Sequence, residues 1–97
     1  MQGYWSDITA PRFRDLPADM IAVLPLGATE QHGPHLPVSV DSDLVEAVLA
    51  RSLPHWHRDT NALILPTLRV TRSTEHAAHP GTLSLSGETL LAVLMLF

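Results

Sequence analysis

The chain has 97 residues, room for one small domain with a modest core. Its hydrophobic share of 45% is ordinary for a globular protein, and the longest apolar runs, Met20–Leu26 and Leu90–Phe97, fall far short of the ~20 residues of a membrane-spanning helix. A formal net charge of −4, with six scattered arginines as its only Lys/Arg residues and no cysteine, argues against a nucleic-acid partner and excludes disulfides and thiolate metal ligands.

At the N-terminus, Met1-Gln2-Gly3-Tyr4-Trp5 has no basic segment followed by an apolar stretch. No export signal is expected there, and the cytoplasm is the default location. Thr9 to Leu16 reads as a short helix, with Thr9 placed to cap it and Pro11 in its first turn. The run Met20–Leu26, ended by Gly27, has the signature of a buried strand of a parallel sheet. Residues 27–41 hold Gly27, Gly33, Pro34 and Pro37 and form a loop. Asp41-Ser42-Asp43 then caps a helix whose Leu44, Val45, Val48, Leu49 and Leu53 recur at helical spacing, and Pro54 ends it. Ala62–Pro66 is a second short buried strand, residues 67–82 a second polar loop, and Ser86-Gly87-Glu88 the start of a last helix over Thr89–Phe97. Strand, loop, helix, strand, loop, helix is an α/β pattern with parallel strands. Ligands collect outside the carboxyl ends of such strands, which is where both loops leave. The last helix stops inside an apolar run with no cap, and two strands make a poor sheet alone, so the chain reads as one cut short.

Histidine is dense: His32, His35, His55, His57, His76 and His79 fall in three pairs. It is a common metal ligand and the usual acid or base near neutrality. Glu30 and His32 are two residues apart, which in extended backbone puts both side chains on one side. Gly33 and Pro34 then turn the chain, and Asp41 returns at a helix start. One imidazole and two carboxylates converging there suit Zn²⁺ or Mn²⁺, and a bridging carboxylate suits a metal pair. Spacing alone leaves plainer readings open: Asp41 as a helix cap, Glu30 as a solvated loop charge, His32 and His35 as surface histidines. His55 and His57 flank Trp56 after Pro54 and read as surface residues, while Tyr4 and Trp5 read as packing against the first helix.

The run Glu30-Gln31-His32-Gly33-Pro34-His35-Leu36-Pro37, with Asp41 nine residues after His32, resembles the first signature of the creatininase (creatinine amidohydrolase) family. The preceding Val23–Thr29 resembles that family's first strand and turn. A second block, Ser73-Thr74-Glu75-His76-Ala77-Ala78-His79-Pro80-Gly81-Thr82, resembles its Ser-x-Glu-His-x-x-Phe-Pro-Gly-Thr segment. The resemblance covers nearly the whole chain but only the N-terminal part of a family member. It implies a three-layer α/β/α fold with a mainly parallel sheet, of which residues 1–97 form the N-terminal part of a single domain. It implies two divalent ions, zinc or manganese, with Glu30 on one, His32 on the other and Asp41 bridging both. A His and a Glu from a later glycine-rich segment complete the family's site. Ser73, Glu75 and His76 lie in a loop that in the family lines the substrate pocket. Ser39-Val40, Thr71 and His79 stand where the family usually has Gly-Thr, Gly and Phe; these departures touch no implied metal ligand but do touch the pocket. No residue is singled out as general acid or base.

The implied activity is metal-dependent hydrolysis of a non-peptide amide C–N bond in a small molecule, cyclic or linear, by an oligomeric enzyme, hexameric by resemblance. Two other readings stand beside it: a family branch that trims a modified peptide, and a truncated remnant without turnover.

Overall fold

A computed structural model describes all of residues 1–97. Three short parallel strands form its sheet: β1 (Gln2–Tyr4), β2 (Ile21–Val23) and β3 (Ala62–Ile64). Their order is β1-β3-β2, so β3 is central. Gly3 and Ala22 both face Leu63 across the ladder. The expected pairing of the Ile21 and Leu63 segments is therefore present and parallel.

The third strand, β1, carries no apolar run or alternation that would announce it. It is held by pairing and by its ends. The N-terminal ammonium donates to Asn61 Oδ1 at 2.7 Å, and Gln2 Nε2 donates to the carbonyls of His57 and Thr60 at 2.6 and 3.1 Å.

The apolar run Met20–Leu26, read as a buried strand, requires correction. Only Ile21–Val23 is strand, and Ile21 is 54% exposed. β2 has a neighbour on one edge only, and Pro25 lacks the N–H needed to continue a ladder. The buried strand is β3, which with Ala28 and Leu65 makes up the buried apolar core.

Beyond the strands, the two chains stay side by side. Leu65 N donates to Val23 O (2.8 Å), Leu68 N to Pro25 O (3.0 Å) and Gly27 N to Leu68 O (2.8 Å), with one extra residue on the second chain before Leu26 meets Leu68. The two loops that follow are then sewn together. Thr71 Oγ1 donates to Gly27 O, Thr29 Oγ1 to Arg69 O and Leu83 N to Thr29 O, at 2.6 to 2.8 Å. Both loops leave the carboxyl ends of the strands, as expected.

Helix α1 spans Val40–Ser52, so its N-cap is Ser39 and Asp41 already lies inside the first turn. The reading of Asp41 as part of a cap is corrected accordingly. Ser39 Oγ instead donates to Asp43 Oδ2 at 2.7 Å, and no side chain caps the backbone there. The start of α1 is pressed against the first loop. Ser42 is fully buried and its Oγ donates to Ala28 O at 3.3 Å. A Cβ on Gly27 would run into Ser42 Oγ and lie 2.9 Å from its Cα, so only glycine fits. The apolar stripe of α1 is half covered: Leu44 and Val48 are 59% and 64% exposed.

The segment Thr9–Leu16 forms a 3-10 helix over Ala10–Asp15 rather than an α-helix, and Thr9 makes no side-chain cap bond. Trp5 packs on Phe13 from it, with ring centroids 4.6 Å apart. Helix α2 spans Gly87–Leu94, earlier at both ends than the expected Thr89–Phe97. Ser86 Oγ caps it by accepting from Thr89 N at 3.0 Å. No helix is long and apolar enough to cross a membrane.

Candidate metal centre

Glu30, His32 and Asp41 come together. Each offers a ligand atom, and the three atoms lie within 4.8 Å of one another. Glu30 sits on the first loop, its backbone N–H donating to Val38 O at 3.1 Å, and is only 9% exposed. That loop doubles back at Gly33, whose φ of 77° is one that glycine tolerates best. The turn carries His32 beside the first turn of α1, where His32 Nε2 stands 3.5 Å from Asp41 Oδ1. The positive end of the helix favours a carboxylate at Asp41.

The other ring nitrogen decides what Nε2 can do. His32 Nδ1 lies 3.3 Å from the backbone oxygen of Glu30, which can only accept, so in the neutral ring Nδ1 carries the proton. Nε2 then presents a lone pair to a carboxylate oxygen: two electron-pair donors face each other with no hydrogen between them. A cation resolves the conflict. A proton would satisfy His32 and Asp41 alone, whereas a metal ion satisfies Glu30 as well. A ring N–H held by a backbone carbonyl is also the usual second partner of a metal-bound histidine. The donor set of one imidazole and two carboxylates therefore fits a zinc- or manganese-type ion.

The second loop supplies a further group, Glu30, Glu75 and His76, again with candidate ligand atoms within 4.8 Å. His76 Nε2 is 4.0 Å from Glu30 Oε1 and 4.0 Å from Glu75 Oε1. Glu75 is exposed and His76 half-buried. Ser73 is fully buried; its N–H donates to Ser84 Oγ at 2.9 Å and its own Oγ has no partner. His35 and His79 are exposed and belong to neither group, although the His79 ring lies 6.3 Å from that of His76. His57 is also at the surface and pairs only with Asp59, at 3.7 Å.

Gln31, not marked by the sequence reading, ties the loops together. Its backbone N–H donates to Thr82 Oγ1 at 3.1 Å and its side-chain amide to His76 Nδ1 at 2.8 Å. Its place between two candidate ligands was the only sequence signal.

A parallel α/β sheet with carboxylate and imidazole groups gathered on the loops at its carboxyl edge has its candidate site where such sheets bind ligands. The chain belongs to the creatininase family: residues 6–96 match the family described as creatinine amidohydrolase. Over 77 residues it is 35% identical to the mycofactocin precursor peptide peptidase of Mycolicibacterium smegmatis, covering 77% of this chain and 31% of that protein. Over 77 residues it is 36% identical to the creatinine amidohydrolase of Pseudomonas putida, covering 74% of this chain and 28% of that protein. A crystal structure of creatinine amidohydrolase superposes with a TM-score of 0.79 at 32% identity, covering 94% of this chain and 36% of the other. Two further similar structures, each with a TM-score of 0.77, are a mutant creatininase of Zn-Zn type and a creatininase Mn form. The chain thus spans about a third of the length of the relatives it matches.

Proposed function

We propose that residues 1–97 are the N-terminal part of a single creatininase-like domain and supply one wall of a two-metal centre that hydrolyses an amide C–N bond. The observation that carries this reading is the disposition of His32, with Nδ1 engaged by the Glu30 carbonyl and Nε2 facing Asp41. Glu30 and His32 would each hold one ion and Asp41 would bridge them. A divalent metal pair, when bound, supplies polarisation of the carbonyl and an acidified water.

The chain's own residues do the rest of the work assigned here. Asp41 is fixed by the first turn of α1, so its carboxylate meets the loop at a set height. Glu30 is desolvated, which strengthens its attraction for a cation. Glu75 is exposed, with the half-buried His76 beside it, and is the member of the second block we assign to substrate contact. Ser73, buried beneath them, shapes the loop through its backbone.

The substrate class we favour is a small amide, cyclic or linear, on the likeness to the Pseudomonas putida creatinine amidohydrolase. A peptide substrate is the second reading, favoured by the 35% identity to the Mycolicibacterium smegmatis peptidase. Assembly as a homo-oligomer, hexameric by family resemblance, is part of the proposal, with the uncovered Leu44 and Val48 of α1 as candidate contact residues.

The test is a hydrolysis assay of the full-length protein with added Zn²⁺ or Mn²⁺, offering creatinine-like cyclic amides and short peptides in parallel. Turnover of either class that is abolished by chelation and restored by metal is expected. Hydrolysis unaffected by chelation would remove the metal reading.

A further inference from the structure

His32 and His76 both border Glu30, and their partners set them to opposite tautomers. The rings lie 6.4 Å apart between centroids and 23° from parallel. For His32 the accepting carbonyl of Glu30 puts the proton on Nδ1. For His76 the assignment runs through Gln31. The backbone N–H of Gly33 can only donate, and it takes Gln31 Oε1 at 3.0 Å. The amide NH₂ of Gln31 is thereby the end that reaches His76, 2.8 Å from Nδ1. A donor at Nδ1 makes that nitrogen the acceptor, so the neutral ring carries its proton on Nε2. This Nε2 is the atom that stands 4.0 Å from both Glu30 Oε1 and Glu75 Oε1.

We propose that Gln31 is a positioning residue that holds His76 as an Nε2–H donor set between the carboxylates of Glu30 and Glu75, and so bars it from being a metal ligand. The group Glu30, Glu75 and His76, whose donor types alone would suit a cation, is then two carboxylates with an N–H donor between them rather than a second metal site. An N–H there stands 4.0 Å from Glu30 Oε1, short of a hydrogen bond. Closing the present gap to hydrogen-bond length takes a shift of about 1 Å. Carboxylate ligands are commonly oriented by such outer partners. The assignment of His76 as a donor stands on Gln31 and Gly33 alone; its effect on metal rests on the reading of Glu30 as a ligand.

Long-range ¹H–¹⁵N correlation spectra of the full-length, zinc-loaded protein in alkaline buffer read the tautomer directly. His76 is expected with Nε2 protonated and Nδ1 bare, opposite to His32 in the zinc-free protein. In Gln31→Glu the carboxylate can only accept, and the His76 proton is expected to move to Nδ1. Wild-type His76 protonated at Nδ1, or bound to zinc through Nε2, would overturn the proposal, and that spectrum decides even where Gln31→Glu fails to fold. Zinc titrations give the second reading. His76→Ala should weaken zinc binding about 10-fold, within the range for loss of an outer partner, without lowering the number of ions. Unchanged affinity in His76→Ala, in a protein where His32→Ala does lose an ion, defeats this proposal and leaves the metal centre intact. Failure of His32→Ala to lose an ion defeats the metal centre itself.

Discussion

At the scale of single residues, the site is built from what each polar atom has left after its neighbours are satisfied. Asp41 shows this most simply. A helix-start aspartate is ordinarily a cap, but Ser39 holds the cap position and Asp41 Oδ1 faces His32 Nε2 at 3.5 Å. Asp41→Asn should therefore leave the fold nearly untouched, with a stability change below about 1 kcal/mol from the helix dipole, while metal binding collapses. Thermal unfolding and zinc titration of the same variant check both halves. A large loss of stability with metal retained would return Asp41 to a structural role. That Glu30, His32 and Asp41 come together was legible in the sequence, because they sit within twelve consecutive residues folded back at Gly33; their proposed role as metal ligands rested on the family resemblance, since spacing left plainer readings open. Gln31 and His76 were not legible as a pair. Forty-five positions separate them, and the two strands that bring their loops together do not encode which loop residues meet.

At the scale of elements, the two loops are held by the strands beneath them and by the first turn of α1. Gly27 is the closest approach. Its missing Cβ lets Ser42 seat against the loop, and Ser42 is the neighbour of Asp41. Gly27→Ala forces these backbones apart and should cost about 1–3 kcal/mol, as overpacking of a tight contact does. Because the shift falls on Asp41, metal affinity should drop with it. Chemical denaturation and zinc titration of the variant test this; wild-type values in both would show that the contact is loose. The α/β pattern and the parallel pairing of β2 with β3 followed from the apolar runs and the Gly and Pro residues between them. β1 did not, because Gln2-Gly3-Tyr4 is a strand only through pairing with β3 and its pinned ends. The exposure of β2 was missed for a related reason. An apolar run reports a capacity for burial, and the covering surface must come from elsewhere.

At the scale of the whole molecule, the 97 residues bury few side chains for their number. The radius of gyration is 15.8 Å, against about 13 Å for a compact chain of 100 residues. Leu44 and Val48 on α1, and Leu91, Met95, Leu96 and Phe97 at and beyond α2, are exposed. Apolar surface of this kind favours association. Expressed alone, residues 1–97 should self-associate or aggregate and show no amide hydrolysis, a result read by light scattering and by assay with added metal. A compact, active monomer would contradict it. The central claim, that Glu30, His32 and Asp41 hold divalent metal, is tested most directly by elemental analysis of the purified full-length protein beside its His32→Ala variant. Two ions per chain in the wild type and one in the variant are expected. Equal metal content in the two proteins would contradict the account.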